Sequence, residues 1–234
     1  MPLCQNALSH IRTKLSSYPT QSPFPILTDK QAAYALKFAL KATTKSKQNR
    51  QAAVLVPLCS VGGEPAILFT RRSSNVSTHK NQISFPGGHA EECDDSLIET
   101  ALREAKEELM GTFNYERDLE VLGITASVPA INGNPVTAVL AALNYDFDND
   151  AHLSRIFTPS GIDELREVEV IFTRKVTDLI HYETSEPLKR LGSVGPVFPG
   201  PEGKIWGLTA IILRPLLHKV IAPAFFTQDI KACL

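Results

Sequence analysis

The sequence predicts an α/β fold in which a mixed β-sheet is flanked by helices. Two observations support this class: short apolar runs bounded by turn residues, and one strongly amphipathic segment between them. The apolar runs predict five strands, at Ala52–Leu58, Ala66–Thr70, Val121–Ser127, Val136–Leu143 and Val168–Phe172. Helical periodicity predicts helices at Asp95–Leu109 and from about Thr209 onward, with a kink in the second at Pro215.

The composition is typical of one globular domain. The chain has 234 residues, of which 43% are hydrophobic and 21% are charged, and its net charge is −1. We expect one domain at residues 51–221, preceded by an N-terminal extension and followed by a C-terminal tail at residues 222–234. The apolar run from Ile205 to Leu217 is interrupted by Arg214 and Pro215, so the sequence predicts no membrane span.

The first fifty residues are basic, with eight Lys or Arg and one acidic residue, Asp29. In residues 1–25 the apolar spacing Leu8, Ile11, Leu15 and the lack of acids are typical of a mitochondrial targeting segment. A basic helix packed on the domain is the competing interpretation.

Residues 26–50 contain a second helical signal. Thr28 and Gln31 form a capping-box pair, which predicts a basic helix that docks on the domain. RNA binding by this basic region has little support, because aromatic residues are sparse there and no RNA-binding signature is present.

The cysteines indicate a reducing compartment. Cys4, Cys59, Cys93 and Cys233 form no CxxC pair and no metal-ligand spacing with the histidines, so we expect free thiols. The chain ends in Leu234, as a peroxisomal address does, but lacks the basic residue before it. We expect a mitochondrial protein, and the sequence leaves peroxisomal and cytosolic locations open.

One segment carries the chemistry, the acidic helix around Glu104. At about 100° per residue, Glu107 and Glu108 fall within about 60° of Glu104, so one helix face holds three carboxylates. Repulsion between like charges at this spacing destabilises a helix unless a cation lies among them. Such oxygen ligands suit Mg²⁺ or Mn²⁺. A solvated acidic face neutralised by Arg103 and Lys106 is the alternative interpretation.

A Gly-Gly turn precedes this helix. Gly87 and Gly88 follow the apolar Ile83 and Phe85, and Pro86 disfavours helix at Phe85, so a strand should end here. Glycine lets backbone N–H groups approach a ligand closely, and a turn of this kind before a helix can cradle phosphate.

Together, the turn and the acidic helix resemble the signature of the Nudix hydrolases, G-x5-E-x7-R-E-U-x-E-E-x-G-U, where U is aliphatic. Gly88 is followed by Asp94 and Asp95 near the position of the early acid, then by Arg103-Glu104-Ala105 and Glu107-Glu108. The interval from glycine to arginine is one residue longer than the general signature. In this respect the chain is similar to the coenzyme A diphosphatase branch.

A second motif supports that branch. The segment from Ala66 to Gln82 is similar to the upstream signature LLTxRSxxLxxHxGQ of coenzyme A hydrolases. The matching residues are Leu68, Thr70, Arg72, Ser73, His79 and Gln82. Further on, Ile205–Ala210 is close to the branch's IWGLTA segment, and Ala52–Ser60 looks most like the animal mitochondrial enzymes.

The resemblance implies a fold and a reaction. The fold would be an α/β/α sandwich with a mixed sheet. The reaction would be metal-dependent hydrolysis of the diphosphate of coenzyme A, or of its acyl derivatives, to 3′,5′-ADP and 4′-phosphopantetheine. The cofactor would be Mg²⁺ or Mn²⁺, and the partner a small-molecule substrate rather than nucleic acid. A homodimer is compatible with the sequence, although no feature establishes one.

The resemblance also implies residue roles. Glu104 and Glu108 would be the principal metal ligands, with Glu107 beside them in catalysis and metal binding. The general base would be Glu104 or Glu167, and Arg103 would orient a glutamate. Residues expected to contact or shape the substrate site are Arg71, Arg72, Ser73, His79, Gln82, Gly87 and Gly88. Arg71, Arg72 and Lys80 are candidates for binding the 3′-phosphate.

Two departures keep alternatives open. Asn81 replaces a glycine of the upstream signature, and Met110 replaces the glycine after the last glutamates, with Gly111 one residue later. We expect Gly111 to end the helix in its place. These departures motivate a nonhydrolytic coenzyme A binding or sensing protein as one alternative. A Nudix hydrolase of another nucleoside diphosphate derivative, such as NADH or ADP-ribose, is the other.

Overall fold

A computed structural model describes residues 3–17, 50–75, 79–159, 167–188 and 193–226. The strands are β1 Ala52–Val61, β2 Glu64–Arg72, β3 Ile83–Ser84, β4 Gly87–His89, β5 Leu109–Gly111, β6 Leu119–Ile124, β7 Val128–Pro129, β8 Pro135–Phe147, β9 Phe157–Pro159, β10 Val168–Lys175, β11 Thr184–Leu188 and β12 Ser193–Val197. The helices are α1 Gln5–Ser17, α2 Leu97–Glu108, α3 Tyr115–Asp118, α4 Asp150–Ile156, α5 Val176–His181, α6 Gly207–Leu216 and α7 Ala222–Phe225, with a π-helical turn Leu217–Ile221 between the last two.

The central sheet is mixed. Its strands lie in the order β10-β2-β1-β8-β6, and the β1–β8 pair is parallel while the other neighbours are antiparallel. The short strands β3 and β4 pair with β2 and β1 and lead the chain towards α2. All five predicted strands are present, and so are the helices predicted at Asp95–Leu109 and from about Thr209, with boundaries shifted by a few residues.

Helices cover both faces of the sheet. Side chains alternate along each strand, so apolar residues of one strand face both sides and pack on both helical layers. On one face, Ala53 and Leu55 of β1 pack with Ala101 and Ala105 of α2. On the other face, Val56 of β1 belongs to the larger cluster that includes residues of α1 and α6. The predicted α/β fold with a helix–sheet–helix layering is therefore confirmed.

Helix α1 is part of the core. Leu8 and Ile11 are fully buried and Leu15 is nearly so. Leu15 rests on Gly123 of β6, where an added methyl group would lie 2.9 Å from Leu15 Cδ1. The apolar stripe that suggests a targeting segment thus packs on the domain, and a targeting role stays a prediction. The helix predicted within residues 26–50 lies almost wholly outside the described part of the chain.

The last helical segment belongs to the same core. Gly207–Phe225 is long and apolar enough to cross a membrane by length and composition alone. Its side chains Leu213, Leu217 and Ile221 are fully buried in the larger cluster, as expected for a core helix. Pro215 cannot donate to the preceding turn, and the helix widens into its π-helical turn two residues later. Helix α7 occupies four residues of the segment predicted as a tail.

Candidate active site

Helix α2 begins at a well-defined cap. Ser96 has extended backbone angles, and its side chain accepts a hydrogen bond from the N–H of Glu99. The Glu99 carboxylate accepts in turn from the N–H of Asp95 at 2.7 Å. These bonds satisfy N–H groups that a helix start leaves unpaired, so they fix where the acidic face points.

Arg103 and Asp94 form a clamp at the base of this helix. The guanidinium donates to both carboxylate oxygens of Asp94, from Nε at 2.9 Å and from Nη2 at 3.0 Å. The side chain of Asp94 is only 4% exposed and also accepts from the Thr100 hydroxyl. The hydrogen bonds from Arg103 hold the pKa of Asp94 well below its usual range. Arg103 Nη2 donates to the His89 carbonyl as well, which ties α2 to β4.

The same guanidinium contacts two of the three glutamates. Arg103 Nη1 lies 3.2 Å from Glu104 Oε1 and 3.3 Å from Glu107 Oε1. The Glu107 side chain is 59% exposed, whereas that of Glu104 is 19% exposed. Burial raises the pKa of Glu104, and the charge of Arg103 opposes this shift. Arg103 thus holds Glu104 in a partly buried position and pairs with Glu107 at the surface.

The Gly-Gly segment was expected to be a turn, but it forms the short strand β4, which pairs with β1 and lies directly against this helix. A methyl group on Gly88 would be 2.5 Å from the Glu104 carboxyl carbon and 2.6 Å from its Oε2. Gly87 has a φ of +151°, and a methyl group there would be 2.6 Å from Val54 Cα. Gly87 therefore requires glycine for packing against β1, whereas a side chain at Gly88 would displace the Glu104 carboxylate.

Glu108 is the most deeply buried of the three glutamates. It is 9% exposed, and its Oε2 is buried without a hydrogen-bond partner. Burial raises the pKa of Glu108 to about 8; the nearby charge of Arg72 opposes the shift, and those of Glu104 and Glu167 add to it. The backbone N–H of Gly87 faces the same carboxylate. A buried, unpaired carboxylate oxygen is costly unless a cation or donor binds it.

The donor set fits a divalent cation in part. Glu104 and Glu108 lie on one side of α2, both supply oxygen ligands, and the free Oε2 of Glu108 provides an unused acceptor. Across the described ranges, no three His, Cys, Asp or Glu side chains converge closely enough to hold an ion. Glu107 contacts Arg103 through both carboxylate oxygens, at 3.3 and 3.4 Å. Glu107 as a direct ligand would require its side chain to turn.

Arg72 connects Glu108 with Glu167. Its Nη2 lies 3.3 Å from Glu167 Oε2, and its charge acts on Glu108. Glu167 is exposed, and its carbonyl accepts from the N–H of Ser73 at 2.7 Å. The second candidate base therefore lies near the glutamates of α2 but is paired with an arginine.

Arg71 points the other way. Successive residues of a strand face opposite sides of the sheet, and Arg71 contacts the Glu202 carbonyl at 3.2 Å and the Glu169 carboxylate at 3.5 Å. The two arginines predicted to bind phosphate together are therefore separated by the strand. Arg72 remains beside the glutamates, whereas Arg71 anchors the loop before α6.

The loop after β2 is closed by its own hydrogen bonds. His79 Nδ1 and Gln82 Oε1 are 2.8 Å apart, and the carbonyl of Gln82 accepts from the N–H of Arg72. Ser73 is buried and accepts from the N–H of Asn75. The predicted substrate residues Ser73, His79 and Gln82 thus shape this loop.

Asn81 occupies a position where glycine would be expected. Its φ is +57°, in the left-handed region. Asparagine is among the non-glycine residues that adopt this region most readily, so the replacement preserves the backbone path of the loop.

The end of α2 differs from the expectation. The helix ends at Glu108, and Leu109 is its C-cap with φ −111° and ψ 65°. Gly111 does not terminate the helix; it lies in β5 with a φ of +134°, packed against the carbonyl of Ile156. Met110 lies in the same strand with its side chain exposed, so no glycine is needed there. The shifted glycine serves the β5–β9 pairing instead.

The model of the NUDIX domain family matches residues 49–177, more than half of the chain. The chain belongs to the Nudix family. As a Nudix protein with the acidic helix and the Gly-Gly segment intact, it is a hydrolase that acts on diphosphates.

Named relatives agree with this assignment. The mouse (Mus musculus) protein named mitochondrial coenzyme A diphosphatase NUDT8 is 34% identical over 199 residues, covering 82% of this chain and 88% of the relative. The uncharacterized Nudix hydrolase NudL of Yersinia pestis is 36% identical over 179 residues, covering 75% of this chain and 82% of the relative.

Solved Nudix structures were also matched. A Caenorhabditis elegans Ap4A hydrolase in a binary complex is 23% identical, with a TM-score of 0.39, and covers 56% of this chain and 83% of its own. A MutT/nudix family protein of Enterococcus faecalis is 12% identical, with a TM-score of 0.44, and covers 85% of this chain and 80% of its own.

Two further residues, Asp94 and Tyr115, support the acidic helix. Asp94 holds Arg103 in place, and its signal was the early acid position of the signature. The Tyr115 hydroxyl lies 3.0 Å from the carbonyl oxygens of Ala105 and Leu109 at the end of α2, and no motif marks this residue. A tyrosine seven residues beyond a helix carries no sequence signal for this contact.

Proposed function

We propose that this Nudix hydrolase cleaves the diphosphate of coenzyme A or an acyl derivative, giving 3′,5′-ADP and (acyl-)4′-phosphopantetheine with Mg²⁺ or Mn²⁺. The metal and diphosphate part of this proposal is carried by one observation, the unpaired Glu108 Oε2 beside the Gly-Gly segment. The choice of coenzyme A is supported by the upstream motif and by similarity to a mouse protein of that name.

Glu104 and Glu108 are the proposed ligands, and Glu107 would join them on turning away from Arg103. A bound divalent ion would neutralise phosphate oxygens and lower the pKa of a water molecule. Its charge would also stabilise the ionised form of Glu108, which burial otherwise disfavours. Nudix hydrolases generally use divalent metals, which agrees with this donor set.

For the general base, the choice lies between Glu104 and Glu167. Glu104 is half-buried and held by Arg103, so it is fixed but already hydrogen-bonded. Glu167 is exposed and paired only at 3.3 Å with Arg72. We propose Glu167, because a phosphate anion can compete for Arg72 and leave this carboxylate free to accept a proton.

Substrate contacts follow from the same geometry. Arg72 is proposed to bind the diphosphate or the 3′-phosphate, since a guanidinium suits phosphate oxygens. The N–H groups of Gly87 and Gly88 are proposed to approach the diphosphate where no side chain intervenes. Lys80 is exposed on the loop after β2 and is a further candidate.

Release of 3′,5′-ADP from coenzyme A by the purified protein tests this proposal. The assay is run with Mg²⁺, with Mn²⁺ and with chelator, alongside NADH and ADP-ribose at equal concentration. Metal-dependent cleavage of coenzyme A in preference to the other two is the expected result. If NADH or ADP-ribose is cleaved in preference, the substrate assignment is wrong and the reaction class stands. Tight binding of coenzyme A without phosphate release would favour the nonhydrolytic alternative.

We also propose a mitochondrial location, supported by the name of the mouse relative and by the basic N-terminal region. The bacterial relatives have no mitochondria, so the location needs its own test. Imaging of the full chain with a C-terminal fluorescent tag distinguishes mitochondria from peroxisomes and cytosol.

Light scattering of the purified protein tests the homodimer.

A further inference from the structure

The end of the acidic helix is held by a tyrosine from the next element. Tyr115 is the first residue of α3, and its hydroxyl lies 3.0 Å from two carbonyl oxygens, those of Ala105 and Leu109. Glu108 lies between these carbonyl groups in the chain and is the last residue of α2. The hydroxyl therefore joins the last helical turn to the first residue of β5 across Glu108.

This contact replaces a glycine cap. The last carbonyl groups of a helix lack partners within the helix, and a left-handed glycine often supplies the geometry that pairs them. Here the C-cap is Leu109, which is not left-handed, and its N–H donates to the Ala105 carbonyl. The phenol hydroxyl lies within hydrogen-bond distance of both this carbonyl and the Leu109 carbonyl, and its single hydrogen is donated to one of them or shared between the two.

Tyr115 is itself held from three sides. The Asn114 side chain accepts from the N–H groups of Glu116 and Arg117, which fixes the start of α3. The Tyr115 ring meets Phe113 edge-on at a centroid distance of 5.1 Å. The ammonium group of Lys106, on α2, lies 5.8 Å from the ring centre. A half-buried ring with these contacts has little freedom, so its hydroxyl holds a fixed position.

We propose that Tyr115 is a positioning residue for Glu108, whose carboxylate direction it sets by fixing the backbone on both sides. The inference rests on the proposed function, in which Glu108 is a metal ligand. Glu108 has no hydrogen-bond partner at Oε2, so the position of this oxygen depends on where the backbone places the side chain, together with the Gly87 N–H that faces the carboxylate. Residues that orient a ligand typically change metal affinity about 10- to 100-fold when they are removed.

Tyr115→Phe tests the role, because it removes one oxygen and keeps the ring. Binding of Mn²⁺ alone is measured by electron paramagnetic resonance, without substrate. We expect wild type to bind Mn²⁺ and Tyr115→Phe to bind it about tenfold more weakly. Tyr145→Phe is the matched control: its half-buried hydroxyl contacts His152 at 3.3 Å, away from α2, so its affinity should equal that of wild type. Binding by Tyr115→Phe within twofold of wild type would overturn the proposal.

A second comparison separates positioning from stability. Leu213 is fully buried on the other face of the sheet, and Leu213→Ala should lower the melting temperature while Mn²⁺ affinity stays at the wild-type value. If Leu213→Ala and Tyr115→Phe lose Mn²⁺ affinity equally, lower stability alone explains the loss, and the positioning role of Tyr115 is overturned.

If Tyr115→Phe does not fold, Asn114→Ala carries the test, because it loosens the start of α3 and leaves the phenol in place. Weaker Mn²⁺ binding by Asn114→Ala supports the proposal, and unchanged binding contradicts it. If wild type does not bind Mn²⁺, both the proposed function and this role of Tyr115 are refuted. If wild type binds Mn²⁺ and Tyr115→Phe binds it equally well, only the role of Tyr115 is refuted.

Discussion

Gly88 lies against the carboxylate of Glu104, with no room for a methyl group between the glycine α-carbon and the glutamate oxygens. The Gly-Gly segment therefore packs directly against Glu104, the first glutamate of the acidic face. Arg103 reinforces this packing, since it contacts Glu104 and the carbonyl of His89, the residue after Gly88. Gly88 therefore limits where the carboxylate of Glu104, a proposed metal ligand, can lie.

Gly88→Ala should move the Glu104 carboxylate by about 1 Å, and a displacement of this size costs about 100-fold in rate. The measurement is kcat for metal-dependent hydrolysis of coenzyme A. Gly63→Ala is the control: Gly63 lies in the β1–β2 turn with a φ of +82° and nothing within 4 Å of an added methyl group. It should lose about 1–2 kcal/mol of stability and keep its activity. Equal activity in both variants would contradict the role of Gly88.

Glu104→Gln and Glu108→Gln should abolish hydrolysis while the fold persists. The amide keeps the size of the side chain but removes the charge that a divalent ion needs. The loss in kcat should be at least about 100-fold for either variant. Glu116→Gln, at an exposed position of α3, controls for loss of one negative charge. Wild-type turnover by either α2 variant would refute the metal assignment.

Metal-free protein should lose stability as the pH rises from about 4.5 to about 8, the ordinary and the raised pKa of Glu108. In this range the folded chain keeps a proton that the unfolded chain has released, so the free energy of unfolding falls by up to about 1.4 kcal/mol per pH unit. Below this range both states are protonated and the contribution is fully present.

Urea unfolding in chelator at four pH values compares wild type with Glu108→Gln, which cannot titrate there. The stability of wild type relative to the variant should fall with pH, and saturating Mn²⁺ should reverse the fall. Parallel curves for the two proteins in chelator would contradict the raised pKa.

Much of the fold was predictable because its signals are local. The apolar run of β1 and the amphipathic period of α2 each reflect burial on one face, and both elements lie where the periodicity predicts them. The glycine pair and the acidic helix that it contacts were also recognised, because both belong to one local motif. These features depend on residues that are close in the chain.

The remainder depends on contacts between distant segments. Gly111 was expected to end α2, but it meets the carbonyl of Ile156, which the sequence does not place nearby. Arg71 and Arg72 were expected to act together, yet the alternation of β2 sends Arg71 towards Glu202. Tertiary packing decides which residues each of these side chains contacts. That packing cannot be read from a single sequence.

Arg103→Lys should reduce activity about tenfold or more, although the charge is kept. Lysine has one ammonium group and cannot hold both oxygens of Asp94 while it also reaches Glu104 and the carbonyl of His89. Asp94→Asn should give a similar loss, and the double variant should lose less than the product of the two, because both changes break one clamp.

The control for Arg103→Lys is Arg117→Lys. Arg117 forms a two-pronged pair with Asp118, but its side chain is 73% exposed. Such an exposed pair contributes about 0–1 kcal/mol to the free energy of unfolding. The activity and stability of Arg117→Lys should therefore stay close to those of wild type. Equal losses in both variants would show that the Arg103 clamp has no special role.

Ile11→Ala tests whether α1 is a permanent part of the domain. Ile11 is fully buried in the larger cluster, although it lies in the segment with targeting character. Truncation of such a side chain should cost about 2–5 kcal/mol of unfolding free energy, through lost burial and the cavity left behind. Ser9→Ala, on the exposed side of α1, should change stability by less than about 0.5 kcal/mol. If Ile11→Ala unfolds like wild type, α1 detaches at little cost, which is what removal of a targeting segment would require. A large loss means that α1 stabilises the folded domain, so cleavage at the predicted boundary near residue 25 would expose the surface around Gly123.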